Sequence, residues 1–218
     1  MSSKLQTALA TLGEEPAIVS GARVTTYGSL NRERRIWTER LSEAGVRSGD
    51  VVALEADYSV ASVAALIALL EIKAITVPIS SLPEEKREEI LAVSAARFLI
   101  TLTNSRPVVS PLEVADGQPS DLYRTLRDRG AAGLVLFSSG TTGNSKGSVL
   151  DFDKLVSAYE HSNSKPHRTI TFLGFDHIGG VNTLFHALAH GSTIVTVRDR
   201  TPDEVLSVVQ DARVEVLP

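Results

Sequence analysis

The residues best suited to chemistry are ten in a row: Ser138, Ser139, Gly140, Thr141, Thr142, Gly143, Asn144, Ser145, Lys146 and Gly147. Ser138, Ser139, Thr141 and Thr142 offer hydroxyl donors. The glycines let the backbone take positive φ and approach a ligand closely. Successive exposed N–H groups in such a loop form a concave anion site, and Lys146 adds a mobile positive charge. The set suits a polyphosphate. The apolar run Leu134-Val135-Leu136-Phe137 just before it has strand length and ends in turn residues, so it reads as a buried strand delivering the loop. A Walker A loop needs glycine immediately before the lysine and Ser or Thr immediately after it. Here Ser145 precedes Lys146 and Gly147 follows, which excludes that motif. A flexible Ser/Gly linker is the plainer reading, and the motif's length and its leading strand argue against it.

A second cluster, Gly174-Phe175-Asp176-His177-Ile178-Gly179-Gly180, falls where a strand over 169–173 hands over to a helix over about 181–189, stopped by Gly191. Such switches are where α/β sheets place ligands. Gly179 and Gly180 leave room for a substrate chain to pass close to the helix start. His177 reads as lying near that ligand, against the plainer reading of a helix-start histidine bonded to backbone. His186 and His190 stand four apart, a spacing that suits a metal. No third ligand is visible, however, and the helix-face reading prevails. His161 and His167 carry no signal.

At every position but one, residues 138–147 resemble the phosphate loop of the adenylate-forming (AMP-binding) superfamily, Ser/Thr-Ser-Gly-Ser/Thr-Thr-Gly-x-Pro-Lys-Gly. That superfamily holds acyl- and aryl-CoA ligases, peptide-synthetase adenylation domains and luciferases. Ser145 stands where it usually has proline, a change that removes no phosphate donor. The second cluster is similar to the family's acyl-substrate motif and is a hybrid. His177 with Gly179-Gly180 resembles the Phe-His-x-x-Gly of CoA ligases, whereas Phe175-Asp176 resembles the Phe-Asp-x-Ser of peptide-synthetase domains, whose aspartate holds an amino group. The glycines favour a carboxylic acid without an amino group.

The resemblance implies a two-step reaction. A carboxylate attacks the α-phosphate of Mg2+-bound ATP to give an acyl-adenylate and pyrophosphate, then the thiol of CoA or of an acyl carrier protein takes the acyl group. It also implies site residues. Ser138, Ser139, Gly140, Thr141, Thr142, Gly143, Lys146 and Gly147 would hold the phosphates, with Lys146 and Thr141 catalytic, and Phe175, Asp176, His177 and Gly179 would receive the acid. No metal ligands are assigned. Asp151-Phe152 departs from the family's frequent Thr-His.

The elements that must position these motifs follow an α/β pattern. Residues 17–20 and 23–26 read as two short strands joined at Gly21, and 27–44 as a helix with Leu30, Trp37, Leu41 and Ala44 on one face. Its Thr-Tyr-x-x-Leu entry resembles the family, and Trp37 reads as core. Residues 51–54 and 75–79 are strands around a helix over 59–70, apolar nearly all round and therefore buried. That order implies a right-handed parallel crossover. A helix from Pro83 to about 95 has proline at its first position, and 98–100 is a strand. Residues 101–132 read as a surface excursion with a short helix over 121–128. Asp151 is placed to cap a helix through about 161, and 192–197 is a strand. Thr201-Pro202-Asp203-Glu204 starts a helix, and 214–218 begins another strand. The fold class is α/β: doubly wound, mostly parallel sheets flanked by helices.

Composition excludes several function classes. The 218 residues are 43% apolar with a net charge of −4, so no global field favours nucleic acid or an anionic membrane. Arg32, Arg34 and Arg35 read as the solvated face of a helix. With no cysteine there is no disulfide scaffold, thiolate zinc site or cysteine nucleophile. The start lacks a signal-peptide core, the longest apolar run is too short to span a bilayer, and the chain reads as soluble and cytoplasmic. The family's adenine-binding segment, ribose-binding aspartate, hinge and C-terminal lysine are not found. Residues 1–218 therefore read as the N-terminal portion of an adenylation domain, inactive alone. An amino-acid adenylation domain, a non-catalytic phosphate- or acyl-binding module and an interaction domain retaining the loop as a relic stand as alternatives.

Overall fold

The structure, a computed structural model, describes residues 3–80, 82–102, 107–113, 120–139 and 145–218. Its elements run α1 (Ser3–Thr11), β1 (Pro16–Ser20), β2 (Arg23–Thr26), α2 (Tyr27–Glu43), β3 (Val51–Glu55), α3 (Val60–Glu71) and β4 (Ile75–Ile79). Then follow α4 (Glu84–Ser94), β5 (Phe98–Leu102), β6 (Pro107–Pro111), α5 (Asp121–Asp128), β7 (Gly133–Ser139) and β8 (Ser145–Asp151). The chain continues through α6 (Phe152–Ser157), a 3-10 turn (Ala158–His161), β9 (Arg168–Thr171), α7 (Ile178–Ala189), β10 (Thr193–Thr196) and α8 (Pro202–Asp211). Two compact units form: Met1–Glu33 with Tyr58–Val60 and Lys154–Pro218, and Arg34–Asp57 with Ala61–Asp153.

The second unit holds a six-stranded sheet in the order β6-β5-β3-β4-β7-β8. β5, β3, β4 and β7 are parallel, while β6 and β8 run antiparallel on the two edges. Parallel strands buried on both faces read as continuous apolar runs, and all five residues of β4 are buried. Nine of the twelve residues of α3 are buried, as its all-round apolar sequence demands. Trp37 is fully buried in the core. β6 escapes the pattern of an irregular excursion: its terminal Pro107 and Pro111 disguise a strand, yet an edge strand tolerates proline because its outer side needs no ladder donor. Pro83 caps α4 from outside instead of occupying its first position.

Pro78 shapes the site-bearing hairpin. β7 pairs with β4 only at Gly133 and Leu134, opposite Ile75 and Thr76. Beyond that point β4 reaches Pro78, which has no N–H to give a neighbouring strand. β7 therefore continues in partnership with β8 alone.

The first unit carries the sheet β2-β1-β10-β9, parallel except for β2. The β1–β2 turn is made at Gly21, whose φ of +57° suits glycine. Tyr27 is fully buried, and its hydroxyl donates to Ser192 O at 2.7 Å and lies 3.3 Å from Leu188 O. The start of α2 thereby holds the end of α7. At α8, Thr201 Oγ1 accepts from Glu204 N–H and Pro202 stands in the first turn. Residues 214–218 differ from the expected strand, since only Val216 bridges to Thr169.

Candidate functional site

Of the residues expected to hold phosphates, the described ones lie on two strands. β7 and β8 pair over seven residues, from Gly133↔Asp151 to Ser139↔Ser145. Ser138, Ser139, Ser145, Lys146 and Gly147 thus belong to an antiparallel ladder, correcting the expectation of one continuous loop. Alternate residues of such a ladder bond across it, so part of their backbone is taken up within the hairpin and not left for a ligand. Gly140, Thr141, Thr142 and Gly143 lie outside the described residues, between the two strand ends. Ser138 faces Lys146 directly across the ladder. Directly opposed residues share one face of a hairpin, and both are exposed. Gly147 opposes Phe137, and a Cβ there would meet Phe137 Cζ at 3.1 Å. The aromatic ring covers the glycine, so Gly147 serves the hairpin itself.

The strand β8 is tied to α4. Ser145 N–H donates to Glu89 Oε1 at 2.7 Å, and Lys86 Nζ meets Glu89 Oε2 at 2.6 Å. The Lys86 ammonium and then the Ser145 amide hold the Glu89 carboxyl below the usual carboxylate range. At the far end of β8, Arg129 pairs with Asp151 at 2.8 Å. α6 begins at the next residue, Phe152. Asp153 pairs with Lys73 at 2.6 Å and accepts Ala132 N–H at 2.8 Å. Burial works against its charge, but these two partners prevail and keep its carboxyl below the ordinary range.

In the second motif the helix begins three residues earlier than the glycines led one to expect: α7 opens at Ile178, so Gly179 and Gly180 lie in its first turn. A Cβ on Gly180 would strike the Gly174 carbonyl oxygen and sit 2.6 Å from Leu173 O. Glycine there is a condition of packing the helix start on its own loop. At Gly179 a Cβ meets only the Leu173 side chain, at 2.8 Å. Phe175 is 3% exposed. His177 is the N-cap residue without a side-chain cap bond, and its Nε2 lies 3.9 Å from Asp176 Oδ2. The histidine side chain is well exposed and the aspartate only partly so. Both stand at the positive end of a helix dipole.

Tyr58 is a contributor that sequence reasoning missed. Its ring stacks on Phe175 with centroids 4.1 Å apart, and its hydroxyl donates to Gly180 O at 3.1 Å. Burial pushes that hydroxyl well above the tyrosine range, so it remains a donor. Tyr58 thus clasps both ends of the turn carrying Asp176 and His177. No local pattern announced it: a single tyrosine before α3 has no periodicity to mark it.

Farther along α7, a cavity of about 660 Å³ is lined by Tyr159, Thr169, Asn182, Thr183, His186 and Val216, among others. Tyr159 Oη donates to Asn182 Oδ1 at 2.6 Å, which leaves the Asn182 amide N–H groups as donors. Burial, then the neighbouring His190 and Lys4, hold the His186 ring below the usual histidine range. His190 Nδ1 lies 2.7 Å from His186 O and Nε2 lies 2.9 Å from Ser162 O. Both ring nitrogens of His190 are thus taken up against backbone carbonyls. Among the described residues no group of three or more His, Asp or Glu is placed to hold one, and no helix is long and apolar enough to cross a membrane.

A family model described as AMP-binding enzyme matches residues 5–218. The chain is similar to cyclo-acetoacetyl-L-tryptophan synthase of Aspergillus oryzae, at 28% identity over 222 residues covering 93% of this chain and 6% of that protein. Among solved structures it is similar to the N-terminal subdomain of Klebsiella oxytoca NpsA in complex with 3-hydroxyanthranilyl-AMSN (TM-score 0.77, 20% identity, 98% of this chain and 58% of that one). It is also similar to o-succinylbenzoate CoA synthetase MenE from Bacillus subtilis in complex with an acyl-adenylate intermediate (TM-score 0.74, 20% identity, 100% and 61%). The chain spans under a tenth of the length of that curated relative and about three fifths of these structures. At 20% identity the two structures speak for the fold alone: a mixed α/β fold with parallel sheets flanked by helices, as in the N-terminal part of adenylate-forming enzymes. On the match over residues 5–218, the chain belongs to the AMP-binding enzyme family.

Proposed function

We propose that this chain is the N-terminal part of an adenylate-forming enzyme that activates a carboxylic acid with ATP, and that its β7–β8 hairpin holds the phosphates. The observation that carries the reading is the placement of Lys146 directly across the ladder from Ser138, on the strands that flank the Ser/Thr/Gly residues in sequence. Lys146 would meet the charge that develops on departing pyrophosphate, the kind of fixed electrostatic stabilisation that lowers such barriers. Thr141, Thr142 and Ser139 are proposed as further donors, and Gly140 and Gly143 as the points of close approach. Magnesium would arrive with the phosphates, since Mg2+ keeps few protein ligands in nucleotide sites. His177 with Phe175, held by the clasped turn at the start of α7, is proposed to shape the acyl pocket near the carboxylate of the acid, with Asp176 and Gly179 lining the approach. The cavity along α7 has the volume of a small-molecule site, and NpsA is named in complex with 3-hydroxyanthranilyl-AMSN and MenE with the acyl-adenylate intermediate OSB-AMP.

A thiol acceptor, CoA or a carrier protein, completes the proposal. An acid without an amino group is favoured because the Asp176 carboxylate is turned toward its own turn and His177. The second reading, an amino acid, is favoured by curated relatives named as bacitracin, plipastatin and tyrocidine synthases. The remainder of the adenylation domain is proposed to lie outside these 218 residues, in which case this chain binds nucleotide without turning it over.

Titration of the chain with MgATP and pyrophosphate, beside Lys146→Ala, tests the phosphate site. Losing a charge-assisted bond of about 1.5–3 kcal/mol corresponds to a loss of affinity of about 10- to 100-fold. Equal affinity in the variant would refute the site. ATP–pyrophosphate exchange against aryl, aliphatic and amino acids separates the two substrate readings, and acid-dependent exchange would overturn the expected incompetence of the isolated chain.

A further inference from the structure

We infer that Glu89 is a positioning residue for the phosphate-binding hairpin: its carboxylate anchors the Ser145 amide at the foot of β8 and so fixes where Lys146 stands. The inference rests on the proposed role of that hairpin. β8 is the edge strand of its sheet, and an edge strand has a row of amides and carbonyls without a strand partner. At Ser145 the amide is taken by a side chain from α4, at 2.7 Å, and Ser145 itself is 8% exposed. Ser145 is also the first residue of β8 and forms the final pair of the ladder, with Ser139. One peptide unit therefore separates the Glu89 anchor from Lys146.

The choice of residue at 145 gains a physical reason. Proline, which the loop pattern otherwise carries at this point, would fix φ and remove the donor. Serine keeps the N–H that Glu89 accepts, so a hydrogen bond to a helix takes over the restraint that a pyrrolidine ring would impose. A carboxylate near an anion-binding hairpin would repel phosphate if it stood alone. Lys86, one helical turn away on α4 and 2.6 Å from the other carboxylate oxygen, offsets it. Among the described residues Lys86 is the charged group facing Glu89. β8 presents it with the Ser145 amide and hydroxyl, neither of which titrates in the relevant range.

The test is amide NMR on the 15N-labelled chain from pH 7 to pH 3, in the wild type, Glu89→Gln, Glu89→Ala and Ser145→Pro, with MgATP titrations alongside. The Ser145 amide shift should follow the Glu89 carboxyl, with a midpoint below the ordinary 4.5. Glu89→Gln, which retains an acceptor, should abolish that titration while preserving slow exchange. Glu89→Ala should speed exchange at Ser145 and Lys146 by about tenfold and weaken MgATP binding. In a Ser145→Pro background, Glu89→Ala should change Lys146 exchange no further. A Ser145 shift that stays flat, or one that still titrates in Glu89→Gln, would overturn the anchor. Unchanged Lys146 exchange in Glu89→Ala would overturn the positioning role. Failure of the wild type to bind MgATP, with the amide responses as expected, would sink the nucleotide reading while leaving the anchor established.

Discussion

At the scale of single residues, the two glycines of the second motif separate into different kinds. Gly180 packs against backbone carbonyls that have nowhere to go, whereas Gly179 abuts the end of a leucine side chain. Gly180→Ala is therefore expected to lower stability by about 1–3 kcal/mol, and Gly179→Ala by clearly less, as measured by denaturant midpoints. The glycine pair read from sequence as an opening for substrate is half structural. Tyr58→Phe should keep the stacking on Phe175 and lose the bond to Gly180 O, at a cost of about 1 kcal/mol. A wild-type midpoint for that variant would show that the hydroxyl contributes nothing to the clasp.

Among the elements, local rules and tertiary context divide the credit. The α8 start was legible because Thr201, Pro202 and Glu204 are all local signals. Thr201→Ala is expected to cost about 1 kcal/mol by removing the cap bond, which loss of helical signal at lower denaturant would check. α2, α3 and α5 were equally readable from periodicity and end signals. β6 and β8 were not. β6 is framed by prolines, and β8 spells Ser-Lys-Gly-Ser-Val-Leu-Asp, polar at its start and without the alternation of a half-buried strand. Both exist because a neighbouring strand offers a complete edge, β5 in one case and β7 in the other.

For the whole molecule, the titrating groups differ between the two units. His186, in the first, has its ring held below the usual histidine range. The unfolded chain therefore binds protons first as pH falls through 6.5, and the stability present above that value declines as pH drops toward the folded value. In the second unit Asp153 and Glu89 have lowered carboxyls. Their contributions persist through the histidine window and are lost only as pH falls from the ordinary carboxylate range through the lowered folded values. Hydrogen exchange by mass spectrometry is expected to show peptides of 154–218 losing protection as pH falls below the ordinary histidine range, before those of 61–153. Simultaneous loss would contradict this order. At the alkaline end the first unit holds three of the tyrosines that burial raises and the second unit holds Tyr123. Burial pushes Tyr159 up to about 12 and raises Tyr27 and Tyr58 further. Unfolding there is favoured as pH rises above 10, where exposed tyrosines ionise first.

The sequence by itself determined the α/β class, the order of most elements, the Ser/Thr/Gly-Lys motif and the strand-to-helix motif. Each is written in contiguous residues: apolar period, turn glycines, caps, and hydroxyls beside a lysine. Only the tertiary structure decided which of those residues are ladder, because Ser145, Lys146 and Gly147 become a strand only when β7 stands opposite them. It likewise decided that Gly180 answers to a carbonyl, and that Tyr58 and Glu89 hold the two motifs from 122 and 56 residues away in the chain. Contacts at such separations leave no period or spacing in a sequence. They arise when packing brings a donor to an acceptor that local rules had left unpaired.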